Sequence, residues 1–231
     1  MLLKLDRNNP LIAVINESDV ATNRQVERMV KAIQKQVTEH FRPAWGLKAR
    51  LVFNQEPPLA MKVIIKDRAT AEDEGYLGYH FVDGLPVTYV FARDDIAEKG
   101  EFSSTLSHEI LEMLADPDVN LYAQGFYRDK AGRRHSAFMP YEVCDPVEAG
   151  AYKIDGVKVS NFVLPEWFEP EHRDGDMKMD FRGEVDGPFM LAPGGYTDVF
   201  RNGKTKTIWG EKAKKKRVRH RMRRRIANQK P

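Results

Sequence analysis

His108-Glu109-Ile110-Leu111-Glu112-Met113-Leu114-Ala115-Asp116-Pro117 is the stretch on which the fold of this chain turns. Its pattern predicts a helix over residues 103–115, stopped at Asp116-Pro117 because proline disfavours helical backbone in the residue before it. With His108 at zero and about 100° per residue, Glu112 falls at about 40°, Asp116 at about 80° and Glu109 at about 100°. Leu106, Ile110, Leu111, Met113 and Leu114 fill the arc from about 140° to about 300°. One face is apolar, and the other gathers a histidine and three carboxylates. His108 and Glu112 stand one turn apart, so both can point at one ion. Like charges at this spacing repel, and a divalent cation would turn that repulsion into binding. Imidazole nitrogen and carboxylate oxygen are both good zinc donors. Glu109, beside the ligands but rotated away, is placed to activate a metal-bound water. An acidic face is equally regular on a surface helix, so this helix alone leaves a metal site and a solvated face both open.

Upstream, residues 11–15 (Leu-Ile-Ala-Val-Ile) make a short apolar run that fits a buried strand. Val26, Met29, Val30, Ile33, Val37 and Phe41 recur at helical spacing, with Thr22 or Asn23 as the start and Pro43 and Gly46 as the end. Residues 49–54 and 61–66 are strand candidates, a loop with Gly75 and Gly78 follows, and residues 86–92 form another strand. Strand, helix, three strands, helix is the order of an α+β fold, a mixed sheet with a backing helix and a motif-bearing helix. Beyond residue 117 the chain is richer in Gly, Pro and aromatics. There Asp155-Gly156 and Asn202-Gly203 mark tight turns between strands, so this part is expected to contain β structure.

The helix motif on this succession of elements resembles the zincin metalloproteases. The resemblance implies that the last strand before the motif helix, residues 87–92, is a sheet edge that aligns substrate. One departure stands out: the family has His-Glu-x-x-His, and Glu112 replaces the second histidine. A carboxylate there makes the ion a weaker Lewis acid and the site more tolerant of calcium, magnesium or manganese.

A catalytic zinc needs a third protein ligand. Tyr141-Glu142-Val143-Cys144-Asp145-Pro146-Val147-Glu148 sets acids among residues that tend to be buried, and buried carboxylates require a partner or a cation. Glu142 is the first candidate, at a separation from the motif helix similar to that of zincins whose third ligand is glutamate. Asp145 follows, as ligand or as a group orienting His108, then Asp116, then His135. Cys144 has acidic neighbours, which oppose thiolate formation and a nucleophilic role. Together with Asp155-Gly156-Val157-Lys158-Val159-Ser160-Asn161-Phe162, these motifs also resemble a group of zincin-like proteins encoded by bacteria and their phages. The resemblance covers roughly residues 10–210 and implies a phage context without a substrate.

The net charge of +3 conceals a split. Residues 211–231 hold 11 Lys and Arg against one acid, which leaves 26 basic and 33 acidic residues in the rest. The expected organisation is a zincin-like domain over residues 1–210, divided at 117/118, and a basic tail over residues 211–231. In the tail Lys214, Lys215, Lys216, Arg217, Arg219, Arg221, Arg223, Arg224 and Arg225 lack an interleaved aromatic, so any nucleic-acid contact would be to phosphate and dependent on salt. A solvated tail and docking on an acidic protein surface stay open beside it. No run approaches the roughly 20 apolar residues that span a bilayer, and no secretory h-region starts the chain. One cysteine excludes an internal disulfide and a thiolate zinc cluster. These features lead us to expect a protein that is cytoplasmic at synthesis and carries one divalent ion, zinc before calcium, magnesium or manganese. Two functions follow: a peptidase-like hydrolase acting on peptide substrate, or a structural component of a phage virion whose tail anchors it to nucleic acid or neighbouring phage proteins.

Overall fold

A computed structural model describes residues 8–98, 100–129, 131–171 and 178–210. The basic tail, residues 211–231, lies outside the described residues.

The first half is a mixed sheet with helices. Strands β1 (Leu11–Asn16), β2 (Arg50–Phe53), β3 (Met61–Lys66), β4 (Gly78–Asp83) and β5 (Leu85–Phe91) form one sheet in the order β2-β1-β3-β5-β4. The first three and β5 run parallel, and β4 pairs antiparallel with β5. Ile12, Ala13 and Val14 of β1 are fully buried, as expected of a central parallel strand covered on both faces.

Helix α1 (Asn23–Lys35) connects β1 to β2. Thr22 caps it through a reciprocal pair: Gln25 N donates to Thr22 Oγ1 at 3.3 Å, and Thr22 N donates to Gln25 Oε1 at 2.9 Å. The helical run does not stop at Pro43. It widens into a π turn over Gln36–Phe41 and continues as α2 (Arg42–Trp45), where Gly46 ends it at φ 68°. Arg42 N reaches back to Val37 O, five residues away, just ahead of the proline that lacks an N–H and crowds the preceding turn.

Short helix α3 (Ala92–Ala97) leads into α4 (Phe102–Ala115), the predicted motif helix. Every residue of α4 is buried. Its apolar face and its acidic face are both covered, because β4 and β5 contact it and so does β9 from the second half. Ser160 N donates to Ser107 Oγ at 2.6 Å, and Ser103 Oγ donates to Lys158 O at 2.8 Å, which joins α4 to β9.

The second half contains β6 (Tyr122–Arg128), β7 (Arg134–Pro140), the hairpin β8 (Ala151–Ile154) and β9 (Val157–Ser160), and the hairpin β10 (Tyr196–Arg201) and β11 (Lys204–Trp209). A second sheet runs β11-β10-β7-β6. Asp155 and Gly156 sit at φ 50° and 81°, and Asn202 and Gly203 at 51° and 73°, the left-handed pair of a type I′ turn. One contiguous apolar core includes Ile12, Ile33 and Leu106 from the first half and Val159, Phe162 and Trp167 from the second.

Two sequence expectations change. The segment after Gly75 forms strand β4, and this antiparallel strand, not residues 87–92, is the edge of the first sheet opposite β2. Strand β5 is interior, between β3 and β4. Both strands alternate aromatic residues (Tyr79 and Phe81, Tyr89 and Phe91), and the rings pack across the pair, Tyr79 against Tyr89 with centroids 5.6 Å apart.

Candidate metal centre

Helix α4, strand β4 and the turn after β7 meet around a small cavity lined by Gly78, Tyr79, His80, Glu109, Glu112, Glu142 and Asp145. Its volume is about 10 Å³, at the lower limit for one water or one ion. His80, His108, Glu109, Glu112, Glu142 and Asp145 are each at most 5% exposed. Ionisable groups at this depth need partners or a cation.

His108 stands at the centre of the polar contacts. Its Nε2 lies 3.1 Å from Glu112 Oε2 and 3.3 Å from Asp145 Oδ1. Its Nδ1 lies 3.0 Å from Glu148 Oε2. One turn of helix therefore brings Glu112 to the nitrogen that also faces Asp145, as the 40° phase difference requires. Asp145 begins a single 3-10 turn, Asp145–Val147, and the turn carries Glu148 round to the other side of the ring. Cys144 N donates to Glu112 Oε1 at 3.1 Å, which fixes one carboxylate oxygen and leaves the other towards His108. Tyr196 of β10 hydrogen-bonds Asp145.

The electrostatics follow from burial. Burial, reinforced by Glu142, pushes Asp145 up to about 6 against the lowering effect of His108. Burial likewise holds Glu112 well above the usual carboxylate range, with Asp145 and Glu142 adding to it. Burial opposes charge on His108, but Glu112, Cys144 and Asp145 outweigh it and raise its pKa well above the ordinary value. Burial also raises the Cys144 thiol well above its usual range, against a nucleophilic role.

Glu109 is next to His108 in sequence but faces β4. Its Oε2 lies 3.5 Å from His80 Nδ1 without making a hydrogen bond. Gly78 permits this seat: a Cβ at that position would stand 2.9 Å from Glu109 Oε1. His80 Nε2 has no hydrogen-bond partner and lies 4.0 Å from Glu142 Oε2. His80 Nε2 and Glu109 Oε2, buried and without a hydrogen-bond partner, could serve as donors to a cation, so the donor set fits a divalent metal. Three groups of donors close enough to hold an ion occur here: His108, Asp145 and Glu148; His80, Glu109 and Glu112; and His108, Glu112 and Cys144.

The structure thus gathers His108, Glu109, Glu112, Glu142 and Asp145 in one place. Beside His108 Nε2 the nearer acid from the second motif is Asp145, while Glu142 faces His80. Asp116 is turned elsewhere: its oxygens accept from Asn120 N and Leu121 N, each at 3.0 Å, and hold the chain leaving α4. His135 is on β7, paired with Asp129 at 2.9 Å. Sequence reasoning missed His80, and it named Glu148 without giving it a role. The only signal for His80 was its position between Tyr79 and Phe81, which gives it the opposite face of a strand.

The chain matches no protein-family model, no curated protein and no solved structure.

Proposed function

We propose that this chain is a divalent-metal-dependent hydrolase of peptidase type. His108, Glu112 and Asp145 hold the ion, zinc first among the candidates, and Glu109 is the general base. The supporting observation is that Glu112 and Asp145 line one cavity with Glu109, whose buried Oε2 lacks a hydrogen-bond partner, while His108 Nε2 lies 3.1 Å and 3.3 Å from those two acids. When bound, the ion would acidify water and polarise a carbonyl.

The chain's own residues supply the remaining functions. Glu109 lies about 100° round the helix from His108, so it stands beside the donors and accepts a proton at Oε2. Glu148 Oε2 lies 3.0 Å from His108 Nδ1, and Nε2 on the other side of the ring is left to the ion. Strand β4 has no strand partner on its outer side among the described residues, and an extended peptide can add there through backbone hydrogen bonds. Such a peptide would run past Gly78 and His80, beside the cavity.

The test is a comparison of zinc-loaded parent protein with Glu109→Gln on an unfolded protein substrate. The variant should keep its metal and lose about 10²- to 10⁴-fold in rate, the usual contribution of a general base. Metal-loaded parent protein that cleaves no peptide or protein substrate defeats the hydrolase.

The depth of the site favours a second function. A cavity of about 10 Å³ among donors this buried suits a closed structural ion. The chain would then serve as a structural component, such as a phage virion subunit, with residues 211–231 anchoring it to nucleic acid or a neighbour. In that case metal raises the melting temperature and supports no turnover.

A further inference from the structure

His80 is the imidazole that lines the cavity, and its surroundings repeat those of His108, which lies behind Glu112 and Asp145. Each ring meets a carboxylate at Nδ1: Glu148 Oε2 at 3.0 Å for His108, and Glu109 Oε2 at 3.5 Å for His80. Each ring turns Nε2 to further carboxylates. For His108 these are Glu112 Oε2 at 3.1 Å and Asp145 Oδ1 at 3.3 Å; for His80 it is Glu142 Oε2 at 4.0 Å. A carboxylate on one ring nitrogen and an ion on the other is the usual setting of a metal-bound histidine. Glu112 belongs to both halves, since it groups with His108 and Cys144 on one side and with His80 and Glu109 on the other, all within 4.8 Å.

His80 itself points to a ligand. It is 2% exposed, it lines the cavity, and its Nε2 has no hydrogen-bond partner. A buried imidazole nitrogen left in this state carries an uncompensated desolvation cost. Charge leads the same way. Glu109, Glu112, Glu142, Asp145 and Glu148 set five carboxylates around two imidazoles. One divalent ion offsets two of those five negative charges, and two ions offset four.

We propose that His80 Nε2, Glu142 and Glu112 form a second divalent-cation subsite beside the His108–Glu112–Asp145 set, with Glu112 shared, so that the centre takes two ions. This rests on the cluster being a metal centre at all. Glu109 stays outside the second ligand set because it meets Nδ1. It remains the proton acceptor. Donor sets this rich in carboxylate suit manganese as well as zinc.

The experiment measures manganese bound per chain of full-length protein, stripped with chelator and reloaded, by mass spectrometry and electron paramagnetic resonance. The parent should hold two ions per chain and show an exchange-coupled spectrum. His80→Ala and Glu142→Gln should each hold one ion and lose the coupling. Glu142→Gln keeps the side-chain shape, so loss of one ion with an unchanged circular dichroism spectrum separates ligand loss from misfolding. One ion in the parent, kept by both variants and lost in His108→Ala, overturns the second subsite and leaves the metal centre standing. Two ions surviving both substitutions overturn the placement at His80. No ion in the parent overturns the metal centre and the second subsite together.

Discussion

His108 Nδ1 faces Glu148 Oε2 at 3.0 Å without a hydrogen bond between the two atoms, while Nε2 faces Glu112 and Asp145. Glu148 therefore sets a carboxyl group on the side of the ring away from those two acids, where such a group tunes a metal-bound imidazole. Glu148→Gln should weaken metal binding by about 10- to 100-fold, as loss of such a partner usually does. Competition against a chromogenic chelator measures it, and unchanged affinity would remove Glu148 from the site. At this scale the sequence was informative wherever a regular element fixed direction. Helix phase correctly put Glu112 beside His108 and turned Glu109 aside. The same phase put Asp116 on the ligand face, and there it failed. Asp116 ends the helix at φ −137°, ψ 72°, so its side chain no longer follows the helical angle. Glu142, Asp145 and Glu148 were visible as acids among apolar residues, but only the 3-10 turn decides which ring nitrogen each one meets.

Elements were most legible where a local rule sets them. Asp155-Gly156 and Asn202-Gly203 form the turns their residue types favour. Thr22 with Gln25 makes the start of α1 readable, and Gly46 its end. Gly46 adopts φ 68° with no atom within 4 Å of where a Cβ would sit. Gly46→Ala thus meets no clash, only the left-handed backbone penalty of about 1 kcal/mol. Urea unfolding should show that loss with metal content unchanged, and no loss would mean that the helix end relaxes. Pro43 was less legible, because a π turn lets the helix pass a residue that usually stops one. Strands β4, β6 and β7 were harder still. Gly75 and Gly78 read as loop, yet Gly78 opens β4 because Glu109 packs where a Cβ would be. No local pattern states which strand of a sheet is the edge, so the edge expected of residues 87–92 falls instead to β4.

At the scale of the molecule, burial converts a helix with an acidic face into a candidate metal centre. An α4 exposed to water would leave three carboxylates and a histidine solvated and unremarkable. The second half covers that face through β9 and the turn at residues 145–147, and long-range covering of this kind leaves no local mark in sequence. The cost of covering falls on proton binding. Asp145 is raised from 3.8 to about 6, and Glu112 and His108 are raised well above their ordinary values. A group with a raised folded pKa binds more protons folded than unfolded. It contributes stability below its unfolded pKa and loses that contribution as pH rises through the folded one. For Asp145 the window runs from about pH 4 to about pH 6. Asp67, held down to about 2 by Ser18 and Arg93, has the opposite sign, but its window closes by about pH 4. Asp129 is also lowered, by His135 first and Arg133 after it. Metal-free protein should therefore lose stability as pH rises from 4 to 6, and Asp145→Asn should flatten that slope. Bound metal displaces the stored protons, so its stabilising effect should grow across the same interval and be larger at pH 7.5 than at pH 5. Melting temperatures of stripped and reloaded protein across this range measure both trends. A metal-free protein that gains stability from pH 4 to 6, with no change in Asp145→Asn, would mean that these carboxylates are ionised and solvated, and that the site is not the buried centre described here.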